Sequence, residues 1–110
     1  MEKDIKDITP KKVENQVIEV LKTIYDPEIP VNIYDLGLIY EVKVDEEFNV
    51  AIDMTLTSPN CPVAESLPND VETKAADLWT VKSAKVTIVW EPTWGKEMMS
   101  EEAKLELGFL

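Results

Sequence analysis

Two spacings of apolar residues take turns along this chain, and their order limits the folds open to it. Val13, Val17, Val20, Leu21 and Ile24 recur every three or four positions, the spacing of a helix with one buried face. Thr9 precedes them as an N-cap, with Pro10 at the first helical position. Pro27 and Pro30 then predict an end near Tyr25. Leu38, Tyr40, Val42 and Val44 alternate with Ile39, Glu41 and Lys43, and Val50, Ile52, Met54 and Leu56 alternate again. Asp45–Asn49 joins these two runs, which predicts a β-hairpin.

Helical spacing returns at Val63, Leu67, Val71, Ala75 and Leu78, up to Trp79. Pro68 lies inside that span, so either the helix kinks there or a turn at 62–66 precedes a helix capped by Ser66. Val86, Ile88 and Trp90 alternate with Lys85, Thr87 and Val89 as a third strand. Ser100 caps a short last helix with Glu101 and Glu102 in its first turn and Gly108 past its end. The order α-β-β-α-β-α in 110 residues predicts one compact α/β (α+β) domain over 10–110, after a flexible segment 1–9. Its sheet should be small, mixed and three-stranded, with the helices packed on one face.

Charge removes several classes of function. The net charge is −11, and the 11 basic residues are all lysines. Without arginine the chain lacks the planar fork that grips phosphate or guanine, and its field repels polyanions, so nucleic acid is not an expected partner. No apolar run approaches the ~20 residues needed to span a bilayer, so no membrane role is expected. No charged-then-apolar leader precedes a cleavage site, which points to the cytoplasm. Histidine is absent, which excludes Ser-His and Cys-His nucleophile pairs and the commonest general base.

Three groups of residues could carry chemistry. Cys61 is the single cysteine, flanked by Pro59 and Pro62. With Pro62 at a first helical position, Cys61 becomes an N-cap whose sulfur faces free backbone amides, a setting that favours thiolate. The alternative is a small buried hydrophobe. Asp26, Glu28 and Asp35 surround two prolines, and could bind a hard cation or form an acid/base pair. Alternatively Asp26 or Asp35 caps a turn and Glu28 is solvated. Trp90, Pro92 and Trp94 form either a partner-contact patch or ordinary packing at the end of the third strand, with Met98-Met99 beside them.

The segments TIYDPEIPVNIYDLGLIY (23–40), MTLTSPNCPVAES (54–66) and WEPTWGKEMMSEEAKLELGF (90–109) resemble, in this order, the SufT/PaaD-like iron–sulfur cluster assembly family, also called domain of unknown function 59. The resemblance spans roughly residues 10–109. It implies a compact α/β domain with an accessory role in maturing iron–sulfur proteins. Cys61 matches the family's motif cysteine, within a loop that includes Thr57 and Pro62. Asp26, Pro27 and Glu28 match its acidic loop, and Asp35, Leu36, Gly37 and Leu38 the segment that enters the first strand. Neither a fused ATPase nor extra C-terminal cysteines are present, so the stand-alone SufT-like branch fits better than the PaaD branch tied to aromatic-ring oxygenation.

The expected function is therefore cluster assembly or transfer to client proteins, without enzymatic turnover. Its partners would be the assembly machinery or client apo-proteins. Common clusters take four protein ligands, and one cysteine with no histidine cannot supply them. A labile or transient cluster would thus be shared through Cys61, in a homodimer or with a partner. Two alternatives stay open: a thiol-based redox or transferase enzyme using Cys61, and a purely structural adaptor docking through Trp90 and Trp94.

Overall fold

The computed structural model describes residues 8–26, 29–56 and 63–108. Glu28, Thr57, Cys61 and Pro62 lie outside the described residues, as does most of the segment 1–9. Ile8 packs half-buried against the core and Thr9 caps the first helix, so both belong with the domain.

Helix α1 spans Pro10–Leu21, and the Lys12 N–H donates to Thr9 Oγ1 at 3.2 Å, as the Thr9-Pro10 pair predicts. Val13, Val17 and Leu21 are fully buried along one stripe. The helix stops one turn before the predicted end near Tyr25. The Thr23 and Ile24 amides reach back only three residues, to Val20 and Leu21, and the Thr23 hydroxyl also donates to the Val20 carbonyl. Tyr25 instead forms a β-bridge with Asn32.

Strands β1 (Ile39–Val44) and β2 (Asn49–Met54) form the predicted antiparallel hairpin. Asp45 builds its turn by accepting from the Glu47 and Asn49 amides, and Phe48 takes a positive φ of 69°. The alternation read for the first strand fails at one point. Ile39 pairs with Met54 and Glu41 with Asp53, so Tyr40 is an extra residue, a β-bulge. Beyond the bulge Val42 and Val44 turn inward while Glu41 and Lys43 face solvent.

Helix α2 is continuous over Val63–Ala76, with Pro68 inside it. The open question at Pro68 thus resolves toward one helix, not an isolated turn before a cap at Ser66. Leu67, Val71 and Ala75 hold it to the core. Strand β3 runs Ser83–Ile88, pairs parallel to β2, and ends two residues short of Trp90. It starts earlier than the pattern at Lys85 suggests because Asn49 and Val50 supply partners for Ser83 and Ala84.

The sheet order is β1-β2-β3, mixed as expected. Val50, Ile52 and Met54 of the central strand are buried beneath α1 and α2, while Glu41, Lys43, Ala51, Lys85 and Thr87 are exposed on the other face. On outer strand β3, the Val86 amide is taken by the Glu72 carboxylate of α2 at 2.9 Å. After a 3₁₀ turn at Lys96–Met98, Ser100 caps α3 (Glu101–Glu106) by accepting from the Ala103 amide, and Gly108 follows with φ of 83°. Among the described residues, no helix is long and apolar enough to cross a membrane.

Candidate functional site

The hairpin and the parallel third strand together decide what meets at one end of the sheet. Antiparallel pairing sets the start of β1 beside the end of β2: the Thr55 amide donates to the Leu38 carbonyl at 2.8 Å. Parallel pairing sends the end of β3 to the same place, where the Val89 amide donates to the Met54 carbonyl at 2.8 Å. Three segments therefore depart from this end: the acidic loop that enters β1, the chain running on from Leu56 toward Cys61, and Trp90–Trp94. Leu56, the last described residue before Cys61, is buried here, away from the Asp45–Asn49 turn.

The acidic loop is built around its own carboxylates. The Ile33 amide donates to the Ile24 carbonyl and the Asp26 amide to the Val31 carbonyl, closing the loop at its base. Asp26 is only 4% exposed, and its Oδ1 accepts from the Ile29 amide at 3.0 Å. Asn32 and Asp35 grip each other reciprocally: the Asp35 amide donates to Asn32 Oδ1, and Asn32 Nδ2 to Asp35 Oδ2, both at 2.8 Å. The Asp26 carboxylate therefore caps a turn, whereas in the second turn Asn32 is the cap and the Asp35 carboxylate accepts from the Asn32 side chain. Among the described residues, no three His, Cys, Asp or Glu side chains are grouped to hold a metal ion.

The tryptophan segment divides. Trp90 is 45% exposed, whereas Trp94 is half-buried and its indole N–H donates to the Leu36 carbonyl at 2.8 Å. Trp94 thus follows the packing alternative, its polar edge tying 90–99 to the acidic loop, while Trp90 keeps an exposed ring. The Ser100 amide adds a second tie, to the Asp35 carbonyl at 2.8 Å. Pro92 is exposed, and its carbonyl accepts from the Tyr40 hydroxyl at 2.6 Å, with Met98 Sδ at 3.5 Å. Met99 is core.

Tyr40 and Thr55 join this end of the sheet without any motif that marks them in the sequence. Tyr40 is the bulged residue, and a bulge re-aims a side chain out of its strand's alternation. The aromatic in an otherwise aliphatic and charged strand was the available signal. Burial raises its phenol above the ordinary value, the neighbouring Thr55 hydroxyl acts against that rise, and the Glu91 charge adds to it. Thr55 Oγ1 is itself fully buried and, among the described residues, has no partner at hydrogen-bond geometry. It precedes Cys61 by six positions in the chain.

Comparison with known proteins follows the same lines. A family model described as iron–sulfur cluster assembly protein matches residues 14–88. The chain is 52% identical over 99 residues to an Fe-S protein maturation auxiliary factor of Porphyromonas gingivalis, covering 90% of this chain and 94% of that protein. It is 44% identical over 85 residues to the auxiliary factor SufT of Staphylococcus aureus, covering 77% and 97%. A crystal structure of a domain of unknown function, DUF59, from Bacillus anthracis superposes with a TM-score of 0.85 at 39% identity, covering 92% of this chain and 96% of that one. By match, identity and fold, the chain belongs to the iron–sulfur cluster assembly protein family.

Proposed function

We propose that this protein is an auxiliary factor in the maturation of iron–sulfur proteins, working as a carrier or adaptor without turnover of its own. Its relatives from Porphyromonas gingivalis and Staphylococcus aureus carry that description. The observation that carries the reading is the gathering of three segments at one sheet end: the acidic loop, the chain leading to Cys61, and Trp90–Trp94. A cluster is cargo in this reading. Cys61 supplies one thiolate, and the chain has no second cysteine and no histidine. Cargo therefore needs ligands from a second chain, either another copy or a protein of the assembly machinery or a client. With Asp26 and Asp35 engaged in their loop, carboxylates are poor substitutes, since they suit harder cations than those of sulfide clusters.

The test is anaerobic reconstitution with iron and sulfide, followed by size-exclusion chromatography with both quantified across the peaks. Cluster confined to a dimer or hetero-complex, and lost in Cys61→Ala, is the expected result. A stable cluster on the monomer, or full occupancy in Cys61→Ala, would overturn the shared-cargo mechanism. Protein that stays colourless but still matures a client apo-protein identifies the adaptor role, for which exposed Trp90 is the contact to substitute.

A further inference from the structure

A cleft of about 630 Å³ opens between α3 and a facing wall of Tyr25, residues 30–32 and Asp35. Its apolar part is accessible: Tyr25 is 60% exposed and Leu105 is 67% exposed, with buried Val31 also in the lining. Exposed large apolar side chains sharing one concave surface mark contact sites more often than isolated ones do. The polar part carries one sign of charge. Asp35, Glu102 and Glu106 line the cleft, and no lysine is among its described lining residues.

Two of these carboxylates repel each other within the fold. Glu102 and Glu106 stand four residues apart on α3, a like-charge spacing that works against a helix. Neither takes part in an ion pair among the described residues. Asp35 Oδ2 accepts from Asn32 Nδ2. A cation brought from outside would relieve the repulsion, and the field of a chain with net charge −11 would draw it in.

We propose that this cleft is a docking groove for a partner protein, taking an apolar side chain flanked by lysine or arginine from an exposed segment. The apolar side chain packs between Tyr25 and Leu105, and its basic neighbours meet Glu102, Glu106 and Asp35. A second copy is disfavoured as occupant, because its own charge of −11 opposes the approach. The groove goes beyond the maturation role and is tested on iron-free protein, so the two readings fail separately.

The experiment is a titration of ¹⁵N-labelled full-length apo-protein with a blocked pentapeptide, Gly-Lys-Leu-Lys-Gly, at 20 mM sodium chloride. Amide signals of Tyr25, Asn32 and Leu105 should move, with affinity falling about fivefold or more at 300 mM salt. The exposed pair Glu102→Gln/Glu106→Gln should weaken binding by a similar factor while retaining the dispersed spectrum of the folded protein. Replacing the peptide leucine by glycine should also weaken it. The proposal is overturned if those amides do not move, or if a Gly-Glu-Leu-Glu-Gly peptide moves them equally. An equal response to the leucine-free peptide would reduce the site to bare charge and overturn it too. Shifts that follow protein concentration without peptide would assign the cleft to a second copy. Shifts caused by Lys3→Gln/Lys6→Gln would assign it to the chain's own N-terminus.

Discussion

Gly37→Ala should be the most damaging small substitution in this protein, and the structure gives its size. Gly37 sits at φ 86°, where an L side chain is strained by about 1–2 kcal/mol. A Cβ built there would collide with the Met98 carbonyl oxygen and lie 2.8 Å from the carbonyl carbon. Those are backbone atoms, so no side chain can swing aside. Forcing such an overlap costs a further ~1–3 kcal/mol. The sum is roughly 2–5 kcal/mol, against a total stability of about 5–15 kcal/mol for a domain of this kind. At ~4 °C per kcal/mol, the melting temperature should fall by about 8–20 °C. Thermal unfolding followed by circular dichroism measures it, and the control is internal. Gly108 has nearly the same φ, 83°, but an added Cβ there meets nothing within 4 Å. Gly108→Ala should therefore show only the backbone term. If the two variants lose equal stability, the close approach of Gly37 to Met98 is not what requires glycine, and the reasoning fails.

Three further outcomes follow from the same contacts. Trp94→Phe should cost about 1–3 kcal/mol by urea denaturation, because it leaves the buried Leu36 carbonyl without its indole donor. Asp45 is held below the usual carboxylate value by hydrogen bonds from Asn49, through backbone and side chain, with Glu47 and Lys82 adding to them. A depressed folded-state value means stability that is present above the unfolded value near 3.8 and lost as pH falls through the folded one. The gap in melting temperature between wild type and Asp45→Ala should hold at pH 5–7 and narrow below pH 4; a gap that widens there would contradict the assignment. Finally, raising sodium chloride from 10 to 150 mM should raise the melting temperature by screening the net charge of −11, over a Debye length that shrinks toward ~8 Å. A fall would mean that attractive pairs outweigh the repulsion.

Local chemistry made much of this fold readable. Thr9-Pro10 and Ser100 announce their helices because a cap acts on amides within three residues. Alternation announces β2 because its face is buried along its whole length. What escaped depends on partners distant in sequence. The bulge at Tyr40 exists through pairing with Met54 and Asp53, and Trp94 turns inward to a carbonyl 58 residues away. The candidate site was half legible. Antiparallel pairing alone implied that the acidic loop and the exit of β2 share an end. That Trp90–Trp94 joins them requires β3 to run parallel to β2, which three isolated strand patterns do not specify. That the Asp26 carboxylate accepts the Ile29 amide, and that Asn32 and Asp35 hold each other, depends on how the loop closes, which residue types alone do not display.

The carboxylate of Glu72 on the Val86 amide has a consequence for how this molecule meets others of its kind. An outer strand with free amides is a template on which another polypeptide can stack, the first step toward fibrous aggregation. On β3 the middle rung is already occupied from within the same chain. An incoming strand would have to displace a negative charge to complete its central hydrogen bond, beside the exposed Lys85. Glu72 thus acts as a gatekeeper on the sheet's margin. Removing it should show first as light scattering in concentrated samples, well before any loss of the folded state.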